Sequence, residues 1–407
     1  MVSNPRIAWL LSYISIASFS AAILTPALPQ IQLQFGLQAG EIEWVVSAFL
    51  LGYVLGQLIY APLANRWGRL VALRVGLSIN LIGILLCFLC LITHSYGLLI
   101  MGRLVSALGS ASGLACTLML INEWLAESQR KTAMAYTILS FTLGVGLAVT
   151  LGGLITEYWH WTDCFLLLLI QGTLMLAGTW LFKETLKNKQ AINLKTMILA
   201  YKQALSSHTL VLFALVVGFC SVISYCFSAA GPQIANDLLY LSAAEYGYWN
   251  LANMLGMLLG GLGAKFLLNR FPAMQVIVLG LIGCALGTIS LFVMLHNNSS
   301  SALWFFLSTL SLYLFGGLLF AGGSLIASNA LPDIASASAM MSFINMSSAA
   351  LAVVVMGYLG ANPLQAFVQI LVAMWLLITS LLLTKNSLSK GRERINQAGL
   401  IGLSEIC

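Results

Sequence analysis

Apolar residues run along this chain in blocks about twenty long, separated by short polar breaks. A helix needs about 20 predominantly apolar residues to cross a bilayer. Blocks of that kind fall at roughly 7–29, 44–64, 75–93, 97–122, 132–156, 164–182, 209–236, 246–264, 271–295, 301–332, 334–358 and 363–384. Eleven of the twelve hold no Asp, Glu, Lys or Arg, and the fourth holds Arg103. A transmembrane barrel would alternate apolar and polar residues over about ten positions. These blocks are continuously apolar, which is the helical signature. The pattern predicts an all-α membrane protein of twelve spans. The first block follows a weakly charged start, Met1 to Arg6, and outruns the apolar core of a leader. It therefore reads as span one rather than a cleaved signal.

Composition agrees and removes the alternatives. Of 407 residues, 60% are hydrophobic and 7% are charged, against about 25% charged in soluble proteins. The lipid bilayer must be the solvent for most of the chain. A net charge of +6 is too thin for a nucleic-acid face, and the apolar content excludes disorder. Cys87-Phe88-Leu89-Cys90 has redox spacing but lies in an apolar span without His, so it reads as core packing. His94, His160, His208 and His296 are far apart, in break regions. No phosphate loop, hydrolase elbow or metal-ligand cluster stands out, so the chain is not read as an enzyme. No catalytic residue, cofactor or metal is expected. With no nucleotide-binding domain, energy would come from an ion gradient or from the substrate's own gradient.

The charges set an orientation. Apart from Arg103, every Lys and Arg falls at the N-terminus, in an even-numbered break or in the tail. These are Arg6; Arg66, Arg69 and Arg74; Arg130 and Lys131; Lys183, Lys187, Lys189, Lys195 and Lys202; Lys265 and Arg270; and Lys385, Lys390, Arg392 and Arg394. The odd breaks carry Glu41, Glu43, Glu157, Asp163, Asp237 and Glu245 instead. The positive-inside rule then places both termini in the cytoplasm. The longest inner break, about 183–208, splits the spans six and six. The expected organisation is a bundle at 1–182, a cytoplasmic loop at 183–208, a second bundle at 209–384 and a cytoplasmic tail at 385–407. Equal halves suggest internal duplication. The turns LANRWGR at 63–69 and AKFLLNRF at 264–271 put cations at equivalent places.

Several motifs then carry a resemblance. The break after span two reads Ala61-Pro62-Leu63-Ala64-Asn65-Arg66-Trp67-Gly68-Arg69, and span four carries Arg103-Leu104-Val105-Ser106-Ala107-Leu108-Gly109. With Thr25-Pro26-Ala27-Leu28-Pro29 and the segment Asn122 to Glu127, the chain resembles the major facilitator superfamily, in particular its Bcr/CflA-type drug-resistance branch. The resemblance implies two six-helix bundles, a cavity lined by spans 1, 2, 4, 5, 7, 8, 10 and 11, and a cytoplasmic gate loop formed here by Asn65, Arg66, Gly68 and Arg69. The other reading of those arginines is that they only enforce topology. The chain also departs from the family. Asn65 stands for the loop's Asp, Ser106 for the span-four Gln, and Ala148 and Val149 for a Gly and a Pro of the span-five exporter motif at Gly144 to Gly153.

Arg103 is the sharpest single feature. An Arg at the centre of a span costs about 2.5–3.5 kcal/mol on insertion scales, so it needs an interior partner. Ser106, Ser110, Gly113 and Thr117 continue its face at steps of three and four. Three partners are possible: Glu157 or Asp237 at the odd-numbered side, backbone carbonyls and serines, or an anionic substrate. Snorkelling is the alternative to all three. Tyr53, Gln57, Tyr225, Asn250, Asn253 and Asn345 are the further candidates for substrate binding or coupling. Isolated serines in the same stripes read more readily as bonds between helices.

The expected function is export of a small organic molecule by alternating access, with protons as coupling ion, by a monomer in a bacterial inner membrane. The alternative is import or facilitated passage of a small metabolite, anionic ones included. The span-five departures and the absence of a carboxylate inside any span favour that alternative.

Overall fold

The computed structural model describes residues 4–38, 40–186, 194–331, 334–360 and 362–404. Lys187 and Lys189, counted above with the central loop, lie outside the described residues. The first half comprises α1 (Asn4–Ser12), α2 (Ser15–Ala22), α3 (Leu28–Phe35), α4 (Trp44–Trp67), α5 (Arg69–Thr93), α6 (Tyr96–Trp124), α7 (Glu127–Tyr158) and α8 (Asp163–Gly178). A connecting helix, α9 (Leu194–Leu205), follows. The second half comprises α10 (His208–Asp237), α11 (Ala243–Leu268), α12 (Ala273–His296), α13 (Ala302–Ser328), α14 (Ile334–Gly357) and α15 (Pro363–Ser404). Among the described residues, twelve helices are long and apolar enough to cross a membrane, so this is an integral multi-pass membrane protein of two six-helix bundles.

Span one departs from a plain helix. It breaks after Ala22, passes through a 3-10 turn at Thr25–Ala27 and resumes as α3. Pro26 is the physical reason, because it has no N–H to return to Ala22 O. The Thr25 hydroxyl donates to that carbonyl at 2.8 Å instead. Pro62 and Pro232 lie inside the continuous helices α4 and α10.

The exposed faces are as apolar as the buried ones. Along α12, Leu279, Ile282, Leu286, Ile289 and Phe292 are exposed at steps of three and four. That stripe faces outward while Ile277, Cys284 and Leu291 face the core. Such a helix is stable only with lipid on its outer side.

Between the halves, α7 packs on α11 and α4 packs on α14. These are spans five with eight and two with eleven. Moving every span six places along exchanges the two pairs, which is the symmetry a duplicated chain produces.

Candidate functional site

Arg103 lies on α6 and is 1% exposed. Its Nη1 donates to Ser20 O at 2.7 Å, its Nη2 to Ala21 O at 3.3 Å and its Nε to Val45 O at 3.2 Å. The guanidinium also stands 4.4 Å from the centroid of the Phe49 ring. Two of the three acceptors, Ser20 O and Ala21 O, are set by the break in span one. Ile23 N closes the last turn of α2 onto Phe19 O, and the next two carbonyls are the ones Arg103 takes. A cation at a helix C-terminus also meets the negative end of its dipole. Each charge-assisted bond contributes about 1.5–3 kcal/mol, enough together to offset the insertion cost. Of the three partners considered, the structure shows the backbone carbonyls. Glu157 instead accepts from Ala243 N, and Asp237 from Asn236 Nδ2. Ser106 and Ser110 return their hydroxyls to carbonyls of their own helix. Ser106 O accepts from Asn80 Nδ2 on α5 at 2.8 Å, so this residue joins helices.

The loop between α4 and α5 is tightly bonded. Gly68 joins α4 to α5 at φ 122°, a conformation that favours glycine. A Cβ there would run into the Glu184 carboxylate. Glu184 accepts from Arg69 N at 2.8 Å and Leu70 N at 3.0 Å, capping the start of α5. Burial pushes its carboxyl up, but the backbone N–H groups of Leu186, Arg69, Leu70 and Thr185 outweigh this and hold it below its usual value. The Arg69 side chain pairs with Glu123 at 2.7 Å and donates to Ala64 O at 2.7 Å and Asn65 Oδ1 at 2.8 Å. Asn65 therefore accepts where the family's Asp would. Arg66 is exposed. All these bonds of Arg69 stay within the first half. Sequence reasoning missed Glu184 because it lies 115 residues from the helix start it caps.

The remaining candidates divide into two groups. Asn250 and Asn253 bond to each other at 3.1 Å, and Thr309 on α13 donates to Asn253 Oδ1 at 2.8 Å. Both asparagines are buried and serve contacts within the second half. Tyr53 and Gln57 lie on α4, Tyr225 on α10 and Asn345 on α14, each inside its helix. Tyr53 on α4 and Tyr225 on α10 lie within electrostatic range of each other. Gln57 Oε1 and Asn345 Oδ1 are both buried without a hydrogen-bond partner. They sit on α4 and α14, which pack together and are tied at one end by Trp44 Nε1 donating to Tyr358 Oη at 3.3 Å. Gln57 and Asn345 each lie thirteen residues from that tie, or about 20 Å at 1.5 Å per residue. One buried acceptor without a partner thus lies on each of these two helices.

The seam between halves is described at the cation-poor end. Thr150 Oγ1 on α7 donates to Gly247 O on α11 at 3.2 Å. Gln233 Nε2 donates to Gln32 Oε1 at 3.5 Å, and Ala243 N to the Glu157 carboxylate at 3.1 Å. A cavity of about 150 Å³ lies there, lined by Pro26, Gln30, Glu157, Pro232, Asn236 and Tyr246 among others. The span-five glycines serve both sides: Gly144 and Gly152 abut span one, and Gly146 and Gly153 abut α11. Ala148 and Val149, which replace motif residues, are buried in that packing. Glu43 also lies here. It is the one acidic side chain among the described buried residues, a burial that no sequence pattern announced.

Such an arrangement defines a carrier rather than a catalyst. Residues 10–355 match the Major Facilitator Superfamily, and the chain belongs to that family. It is similar to multidrug resistance protein D of Escherichia coli, with 26% identity over 39% of each chain. It is also similar to multidrug resistance protein Stp of Mycobacterium tuberculosis, with 30% identity over 42% of this chain and 32% of that one. These matches span about a third to two fifths of those relatives' own length. An uncharacterized transporter of Rickettsia felis is 24% identical over 73% of this chain and 74% of its own. Among solved structures, the D-xylose–proton symporter superposes with a TM-score of 0.76 at 14% identity, covering 92% of this chain and 97% of its own. A bacterial homologue of the human lysosomal transporter Spinster, inward-facing and unoccupied, superposes at 0.73 with 16% identity, covering 94% and 99%.

Proposed function

We propose that this major facilitator exports small organic molecules by alternating access, driven by inward proton movement, as a monomer in a bacterial inner membrane. The cation-rich ends of the helices face the cytoplasm by the positive-inside rule. The observation that carries the reading is a pair of buried acceptors without a hydrogen-bond partner, Gln57 Oε1 and Asn345 Oδ1, on α4 and α14, which pack together from opposite halves. A buried polar atom without a partner costs about 1–3 kcal/mol, and a substrate bearing N–H or O–H groups would supply what is missing. Tyr53 and Tyr225 would contribute flat faces beside it. Rocking of the halves would expose the site to each side in turn. The multidrug resistance names of two relatives support export.

Import or facilitated passage is the second reading. It is favoured by Val149 and Ala148, which fill the span-five motif, and by the lack of a carboxylate around Gln57 and Asn345 among the described residues. Sealed vesicles of known orientation decide between them. A pH gradient is imposed and flux is measured across a panel of anionic, neutral and cationic ligands. Export predicts accumulation against a ligand gradient that collapses with the pH gradient. Flux that only equilibrates the ligand establishes a facilitator, and flux indifferent to the pH gradient defeats proton coupling.

A further inference from the structure

Glu43 immediately precedes α4 at the cation-poor end and is 7% exposed. Its carboxylate accepts the Gly40 N–H at 3.0 Å, closing the turn that leads into the helix. The end of α14, from the opposite half, covers it. A Cβ on Gly357 would stand 3.0 Å from Gly40 Cα and 3.1 Å from Glu43 Cγ and Cδ, so any larger residue would have to push the loop or the Glu43 side chain aside. Gly40, at φ +91°, is tucked against Tyr358 and Gly357 O. Tyr96, at the start of α6, donates its hydroxyl to Glu41 O and holds the same loop from the other side.

The charges around Glu43 do not balance it. The titratable groups gathered here are Glu41, Tyr96 and Tyr358. None is a cation, and the Arg69–Glu123 ion pair lies at the far end of the molecule. Burial raises the Glu43 carboxyl above its usual value, against the N–H groups of Glu43 itself and Gly40, which lower it. Parting the seam would withdraw Gly357 and Tyr358 and leave the carboxyl in water, where the ionised form is favoured.

We infer that Glu43 is a proton-operated gate on this seam: protonated, it is sealed beneath Gly357 and Tyr358 and the halves stay joined; ionised, it favours parted halves. It is a gate and not the coupling site. The carboxyl exchanges its proton with the same face of the membrane at every opening, so its titration carries no net charge across. The sign follows from linkage. The joined state binds the proton more tightly, so the joined-to-parted ratio is greatest below about pH 4.3, the ordinary Glu value. The ratio falls as pH rises from there to the raised value. Each unit of difference between the two states changes it about tenfold.

The inference rests on the alternating-access reading above, and one experiment separates their failures. Spin labels are placed at Gln38→Cys and Leu359→Cys in the full-length chain with its native cysteines replaced, in lipid nanodiscs from pH 4.5 to 8. The distance distribution is read by double electron–electron resonance. Acidification should enrich the short distance, Glu43→Gln should hold it at every pH, and Gly357→Val should hold the long one. A single distance in every variant and at every pH overturns both readings. Two populations whose ratio ignores pH, or whose pH response survives Glu43→Gln, overturn the gate alone. Should the replaced background not fold, hydrogen exchange over residues 36–48 of the unmodified chain, corrected for intrinsic rates, tests the same opening. Protection that rises on acidification supports the gate, and protection that does not rise overturns it.

Discussion

The two ends of the molecule are held by different chemistry. At the cation-rich end, Arg69, Glu123 and Asn65 form a charged network within the first half, and Glu184, from the loop that follows it, caps the start of α5. At the cation-poor end, the halves meet through glycine contacts and single hydrogen bonds that involve no Lys or Arg among the described residues. Charged networks in partly dry surroundings are costly to break. Close packing between small residues in lipid is worth less per contact and can be made and unmade. In the proposed alternating-access cycle, the difference separates what stays rigid from what opens. Bonds within a half should govern stability, and contacts across the seam should govern the balance of conformations.

Arg103 offers the largest test, because it binds α6 to both α2 and α4 inside one half. Arg103→Ala leaves the Ser20 and Ala21 carbonyls unpartnered at the broken turn. The expected loss is about 2–5 kcal/mol, read as a lowered thermal midpoint and lowered abundance in the membrane. Flux per folded molecule should fall alike for anionic, neutral and cationic ligands. Selective loss of anionic ligands would instead make Arg103 a substrate partner, and the rigid-half account would not survive. The next largest effect should come from the seam. A side chain at Gly153 would press into Ala243 O on α11, and overpacking of this kind costs about 1–3 kcal/mol. In Gly153→Val that cost falls on the joined state alone. Flux should drop about tenfold or more while the thermal midpoint moves less than in Arg103→Ala. Equal losses of stability in the two variants would erase the distinction between the ends.

Much of this contrast is legible in the sequence. The twelve spans follow from block length, and the split into halves follows from the lysine-rich break. Arg103 stands out because one charge in an apolar block is conspicuous. Its partners do not, because backbone carbonyls carry no sequence label, and two of the three become available only where span one breaks. Glu184 and Glu43 are likewise visible as residues but not as sites. One lies 115 positions from the helix start it caps, and the other is buried by the opposite half. Asn250 and Asn253 share a polar stripe with cavity candidates, yet Thr309 satisfies Asn253 from inside the same half. Helical spacing gives a face, and only packing says whether that face meets a cavity or another helix.

Acidification should sharpen the comparison with a smaller effect. The Glu184 carboxyl is held below its usual value, so its stabilising bonds to the start of α5 are fully present above about pH 4.3. They are lost as pH falls through the lowered value. The thermal midpoint should decline on that acid limb, and Glu184→Gln should flatten the decline relative to the native chain. The same acidification should strengthen the joined seam through Glu43, so the two ends respond to protons in opposite senses. A difference curve between native and Glu184→Gln that is level from pH 6 to 3 would remove Glu184 from the rigid network.

Thr150 gives the smallest and most discriminating case. Its hydroxyl is shared between Gly146 O at 3.0 Å in its own helix and Gly247 O at 3.2 Å across the seam. A shared, long hydrogen bond between membrane helices is worth about 0.6 kcal/mol. Thr150→Val keeps the shape and removes the donor, so the joined-to-parted ratio should shift about threefold with no resolvable change in thermal midpoint. Thr150→Ser should restore the native ratio. A shift as large as that of Gly153→Val would mean that polar bonds, and not close backbone approach, hold the seam. The cation-poor end would then obey the same chemistry as the cation-rich one, only with weaker partners.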